Sequence, residues 1–237
     1  MIKINSAKKL ATKIEHTNLN NTATKEKIEY LAHKAKEYGF YAIVVSPYYV
    51  EYSKKLLKDS DIKVVTVIGF PLGFVSPKSK KKEAEIAIAS GADEIDMVAN
   101  IQAIKAGDYD TIRSEISMVR EVSKGKILKV IIEAELLSDE EITETSKIID
   151  ELGGDYIKTS TGLSGKTPKA SHLVLIRKTS PHIKIKASGG IRDYKTAVRL
   201  LSAGADKIGT SSGDLIIEEY NKISKQQEMH EVEGFLG

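Results

Sequence analysis

A lysine amine attacks a carbonyl carbon only when it is held unprotonated, and two lysines of this chain stand where that can happen. In DYIKTSTG (155–162) Lys158 follows Ile157, and in KIKASGGIR (184–192) Lys186 follows Ile185. A third charged residue, Asp96, lies between Ile95 and Met97 in GADEIDMVANI (91–101). Each sits in a short β-branched run that reads as a strand. Side chains alternate along a strand, so the apolar neighbours take one face and Asp96, Lys158 and Lys186 share the other. The reference lysine pKa is about 10.4, and lowering it to about 7 takes roughly 4–5 kcal/mol of bias against the ammonium. Burial and a nearby second cation both supply such bias. The chemistry is then amine catalysis: one lysine forms a Schiff base, the other lowers its pKa, and Asp96 moves protons. The structural alternative is a buried Lys–Asp ion pair. That is a weak source of stability, and two lysines against one acid leave a charge unmatched. Lys184 has the parity of Lys186 but belongs at the opposite end of its strand, where a snorkelling role is expected.

A second group of residues is rich in Gly and hydroxyls. TSTG (159–162), ASGGIR (187–192) and GTSSG (209–213) each follow a strand-like run. Glycine lets backbone amides approach phosphate oxygens, and serine adds donors. One such turn also fits ordinary loop punctuation, but three in succession at strand ends point to a phosphate site.

The elements that position these residues alternate along the chain. Strand-like runs occupy Lys13–Leu19, Tyr41–Pro47, Lys63–Pro71, Glu94–Asn100, Leu128–Ala134, Tyr156–Gly162, Ile183–Gly190 and Lys207–Ser212. Between them lie segments of helical periodicity. Ile28, Leu31, Ala32 and Ala35 share one face of Thr24–Gly39, and Ile112, Ile116 and Val119 share one face of Thr111–Ser123. Ser138 with Glu141 forms a capping-box pattern. Pro77 and Pro168 fit first helical positions, and Gly39, Gly91 and Gly204 fit helix ends. Eight strand–helix units in 237 residues predict one parallel (β/α)₈ barrel domain spanning residues 1–237, with its site at the carboxyl ends of the strands. A doubly wound sheet is the alternative. It favours a Gly-rich turn after the first strand, and that turn here reads HTNLNNTAT.

Composition narrows the field. The chain carries 36 basic and 33 acidic residues, a formal net charge of +3 and no cysteine, which excludes disulfides, thiolate metal sites and thiol nucleophiles. The five histidines (16, 33, 172, 182 and 230) show no metal-ligand spacing, and a structural role is expected for His16. PKSKKKE (77–83) reads as the solvated first turns of a helix. Without interleaved aromatics it does not predict nucleic-acid binding. No apolar run approaches the ~20 residues of a membrane span, and the first residues lack a signal-peptide core. The expectation is a soluble, cytoplasmic protein without a membrane partner.

Together these segments resemble the deoxyribose-phosphate aldolases, a class I aldolase family, over nearly the whole chain. The resemblance runs through IEHTNL (14–19), AIVVSPYYV (42–50), VIGFPLG (67–73), GADEIDMVANI, LKVIIEAELLSDEEI (128–142), DYIKTSTG, KASGGIR and GADKIGTSSG (204–213). It implies reversible cleavage of 2-deoxy-D-ribose 5-phosphate to acetaldehyde and D-glyceraldehyde 3-phosphate, with no cofactor, no metal and a homo-oligomeric assembly. Lys158 would form the Schiff base, Lys186 would perturb its pKa and carry protons, and Asp96 would serve in proton transfer. Substrate contacts would fall on Glu15, Thr161, Gly162, Gly189, Gly190, Ser211 and Ser212, with Lys166 as a further phosphate contact. The pattern departs from the family at Glu15, often Asp, and at the C-terminus, where some members carry a tyrosine and this chain ends EGFLG. Other Schiff-base sugar-phosphate aldolases and a non-catalytic phosphate-binding barrel are the competing readings.

Position 44 is Val where some members of that family carry cysteine. With no thiol to alkylate, the protein is expected to resist inactivation by α,β-unsaturated aldehydes through any residue other than lysine. Intact mass and residual activity after exposure check this; rapid inactivation with an adduct on a residue other than lysine is the contrary result.

Overall fold

The computed structural model describes residues 6–163 and 165–236. Eight parallel strands close into a barrel in sequence order: β1 (Ile14–Asn18), β2 (Ala42–Val45), β3 (Lys63–Ile68), β4 (Glu94–Val98), β5 (Ile127–Ile131), β6 (Tyr156–Lys158), β7 (Lys184–Ser188) and β8 (Lys207–Thr210), with β8 pairing back to β1. The described helices are α1 (Ala7–Ala11), α2 (Lys25–Tyr38), α3 (Val50–Leu56), α4 (Pro77–Ala89), α5 (Ile101–Lys105), α6 (Tyr109–Val122), α7 (Asp139–Glu151), α8 (Ala170–Thr179), α9 (Tyr194–Ser202) and α10 (Gly213–Leu236). No described helix is long and apolar enough to cross a membrane. The barrel reading therefore holds, and the doubly wound alternative falls. Each strand ends sooner than its apolar run, because the last residues of the run turn into loops.

The two faces of the sheet differ. Outward-facing Ile43, Ile95, Val130, Ile157, Ile185 and Ile208 pack against the helices in one continuous core. That burial holds the helices on, at roughly 25 cal/mol per Å² of apolar surface. Inside, the apolar filling is small: Ala42, Val44 and Val65, with Leu19 and Tyr41 against them. The same inward face carries buried charged residues, Glu15, Glu94, Asp96, Lys129, Lys158 and Lys186, beside Val67, Val98, Ile131 and Tyr156.

A repeated device ties the strands at their amino ends. Asp93, Asp155 and Asp206, which stand just before β4, β6 and β8, each accept a backbone amide of the preceding strand: Val64 at 2.8 Å, Leu128 at 2.8 Å and Ile185 at 2.9 Å. Each is also paired with a cation, Lys54, Arg120 and Arg177 respectively, at 2.8–2.9 Å. Short Gly-x-Asp turns thus close the end of the barrel remote from the site.

Helix signals are mostly realised. Ser138 and Glu141 form a complete capping box on α7, and Ser76 caps α4 with Pro77 at its first position. Pro168 does not start a helix: α8 begins at Ala170, because Lys169 after it is still extended, with φ −79° and ψ 136°, its amide bound to Glu135 at 3.2 Å. The PKSKKKE cluster is not simply solvated either. Lys78 and Lys82 are exposed, but Lys80 is fully buried and ion-paired with the equally buried Glu115 of α6. Glu115 also accepts the Asn100 amide at 2.9 Å, at the start of α5. The pair thereby braces the turn that follows β4.

Removing one member of a buried pair strands the other charge, at a cost of about 3–5 kcal/mol. Lys80→Met is therefore expected to lower unfolding stability by roughly that amount. Lys80→Met with Glu115→Leu should recover part of the loss. Urea unfolding of both variants measures it, and equal losses would show that the charge is not the cause.

Candidate active site

The barrel register sets the site. Lys158 on β6 lies beside Lys186 on β7, and Asp96 on β4 lies beside Lys129 on β5. Asp96 is fully buried and holds three lysines: Oδ2 accepts from Lys158 Nζ at 2.8 Å and Lys186 Nζ at 2.7 Å, and Oδ1 accepts from Lys129 Nζ at 3.0 Å. Lys129 also meets Glu94 at 2.5 Å and Glu15 at 3.6 Å, and Lys186 pairs with Glu15. Lys184, by contrast, is exposed at the opposite end, with Nζ 5.4 Å from the Tyr156 ring centre.

Two members of this cluster, Lys129 and Glu94, were not found by sequence reasoning. The signal was present: Lys129 interrupts Leu128 and Val130 as Lys158 interrupts its own strand, and Glu94 precedes Asp96 at the same parity. Their presence changes the charge count. Asp96, Glu94 and Glu15 oppose Lys129, Lys158 and Lys186, so the unmatched charge expected for two lysines and one acid does not exist. Glu15, like Asp96, is fully buried, and it is bound to Lys186 beneath the cleft.

The balance acts differently on each group. Burial pushes the Asp96 carboxyl up, but Lys129, Lys158 and Lys186 overcome it and hold Asp96 well below the usual carboxylate range. Burial also opposes the charge on Lys129, yet Asp96, Glu15 and Glu94 hold it well above the usual lysine range. At Lys158 burial prevails, with the Lys186 ammonium adding to it, and the amine falls to about 8 despite Asp96.

Above the cluster lies an open cleft of about 1410 Å³. Of the three clustered lysines only Lys158 lines it. Thr161, Gly162, Gly189, Gly190 and Ser211 line it too, whereas Ser212, Glu15, Asp96 and Lys186 do not. The Ser212 amide turns instead to Thr210 Oγ1 at 2.9 Å. Gly189 and Gly190 have left-handed φ angles of 108° and 61°. A Cβ on Gly189 would lie 2.8 Å from the Lys166 carbonyl, so the loop closes on bare backbone. Arg192 brings a cation to the lining, as Asp214 brings an acid. His16 is buried, 5.1 Å from the Phe40 ring between centroids, and burial lowers its pKa.

A buried, charge-balanced lysine cluster with one amine open to a cleft is an arrangement for carbonyl chemistry, and comparison with known proteins agrees. The model of the DeoC/LacD family of aldolases matches residues 9–217. The chain belongs to this family. A deoxyribose-phosphate aldolase of Caldicellulosiruptor saccharolyticus is 47% identical over 216 residues, covering 90% of this chain and 98% of that protein. Its counterpart from Thermococcus gammatolerans is 46% identical over 214 residues, covering 88% and 95%. The tetrameric deoxyribose phosphate aldolase of Aeropyrum pernix superposes with a TM-score of 0.87 at 32% identity, covering 93% of this chain and 94% of that one.

Because only the free amine attacks a carbonyl, the rate of imine formation at Lys158 is expected to rise with pH and level off above about 8. Lys186→Leu removes a cation that lowers the Lys158 pKa, so the midpoint should move upward. Cyanoborohydride trapping with acetaldehyde across pH measures both; a wild-type midpoint near the ordinary lysine value would contradict the assignment.

Proposed function

We propose that this aldolase reversibly cleaves 2-deoxy-D-ribose 5-phosphate into acetaldehyde and D-glyceraldehyde 3-phosphate, with Lys158 as the covalent nucleophile. The observation that carries the reading is that Lys158 alone among the clustered lysines lines the cleft, with its pKa lowered to about 8. The named relatives support the substrate.

The neutral Lys158 amine adds to the aldehyde carbon of the open-chain sugar, and loss of water gives the iminium. Removal of the proton on the C3 hydroxyl lets the C2–C3 bond break. Its electron pair passes into the iminium as an enamine, and D-glyceraldehyde 3-phosphate leaves. Protonation of the enamine carbon regenerates an iminium, and water releases acetaldehyde and the free amine. In this scheme Asp96 stays a carboxylate at rest, because three lysines favour its charge. Its Oδ2 spans Lys158 and Lys186, so a proton leaving one amine crosses to the other over a short path. The turns at Gly162, Gly189 and Gly190, with Ser211, line the cleft and would take the phosphate. Assembly with copies of itself, as in the Aeropyrum relative, is part of the same reading.

Brief treatment with acetaldehyde and borohydride is expected to leave one ethyl group on the peptide containing DYIKTSTG. Lys158→Arg should abolish the label, since guanidinium stays protonated. Asp96→Asn should lower kcat by about 10²–10⁴-fold, the usual contribution of proton-transfer groups. Peptide mass analysis and kinetics decide; labelling spread evenly over surface lysines would remove the Schiff base from the mechanism.

A further inference from the structure

Glu133 is the one non-glycine residue with positive φ among the described residues, at φ 48° and ψ 55°. L residues other than Gly, Asn and Asp avoid this left-handed region, and departures from the rule cluster at functional sites. Glu133 is buried and does not line the cleft. Its carboxylate accepts the backbone amide of Thr161, while the amide of Ala134 donates to the Thr159 carbonyl at 2.8 Å. The left-handed turn is what lets both groups reach the loop after β6 at once. Two residues on, Glu135 takes the far end of that loop: Oε1 accepts the Lys169 amide at 3.2 Å and lies 3.3 Å from His172 Nδ1, and Oε2 pairs with Lys169 Nζ at 3.3 Å.

The clamped loop is the one that builds the cleft wall. Thr161 and Gly162 line the cleft. Farther along, the Lys166 carbonyl and Thr167 Oγ1 press on Gly189 and Gly190, 2.8 Å and 3.0 Å from where a Cβ would stand. Ser188 secures the base of the loop, donating to the Ser160 carbonyl at 2.6 Å.

We propose that Glu133 is a positioning residue for the phosphate end of the cleft: its carboxylate fixes the loop presenting Thr161 and Gly162, and so sets discrimination between phosphorylated and unphosphorylated sugar. This rests on the aldolase reading above. The carboxylate contributes as a hydrogen-bond acceptor held in place by its backbone. The geometry therefore separates two properties that a purely structural residue would join, because removing the left-handed strain should not restore the acceptor.

The test compares wild type with Glu133→Gln, Glu133→Ala and Glu133→Gly, using 2-deoxyribose 5-phosphate and 2-deoxyribose. Glu133→Gln keeps an acceptor oxygen, and its ratio of kcat/KM for the two sugars should stay within about twofold of wild type. Glu133→Ala and Glu133→Gly should each lose about tenfold in that ratio, through KM for the phosphorylated sugar with kcat little changed. Thermal stability should follow a different order, with Glu133→Gly above Glu133→Ala, because glycine accepts positive φ. A ratio unchanged in both truncations, or one that tracks stability so that Gly restores what Ala loses, overturns the proposal. Hydrogen exchange at the Thr161 amide separates failure of the clamp from failure of the substrate reading. Exchange should be slow in wild type and Glu133→Gln and faster in the truncations, and equally slow exchange in all four overturns the proposal for any substrate. Wild type that lacks a preference for the phosphorylated sugar defeats the aldolase reading instead.

Discussion

Six ionisable side chains pack against one another inside this barrel, and they can be buried only together. An unpaired charge in such surroundings costs several kcal/mol, so each of Glu15, Glu94, Asp96, Lys129, Lys158 and Lys186 depends on the others. The requirement reaches the fold. A one-residue slip of any of these strands would turn its charges toward the helices and its isoleucines inward. The apolar layer between strands and helices and the charged layer on the barrel axis therefore specify the same register from opposite sides.

Within that balance, neighbouring lysines end with opposite properties. Lys129 meets three carboxylates, and its ammonium is favoured. Lys158 meets one carboxylate, Asp96, beside a like-charged lysine, and its neutral amine becomes accessible near pH 8. The side chains are chemically identical and both are buried. The number of acids within reach decides which one stays a structural cation and which one is reactive. The reactive one is also the one at the cleft, so depth in the barrel and chemistry are set by the same gradient.

The two ends of the barrel divide the work. At the amino ends of the strands, Asp93, Asp155 and Asp206 tie backbone amides and cations into closed turns, which serve stability. At the carboxyl ends, glycines with positive φ and serine-rich turns line the cleft, and side chains from adjacent loops hold those turns in place. This is the usual partition in parallel barrels. Here Ser188 and Glu133 act on opposite sides of the same KTSTG loop.

Much of this was legible in the chain alone. Strand–helix alternation gave the barrel, since each strand covered on both faces reads as a continuous apolar run. A charge inside such a run marked Asp96, Lys158 and Lys186, and the buried faces of α2 and α6 followed from spacing. These are local signals, carried by neighbours in sequence. Lys129 and Glu94 carried the same signal but gained meaning only from partners one strand away. The role of Lys80 was misread, because a charged residue near a helix start looks solvated until the opposing element is in place. Which lysine opens to the cleft, and that Glu133 adopts a left-handed turn to reach Thr161, were decided by tertiary structure. Both depend on contacts between residues far apart in sequence, and no periodicity encodes the distance or charge of a partner that only closure of the barrel brings near.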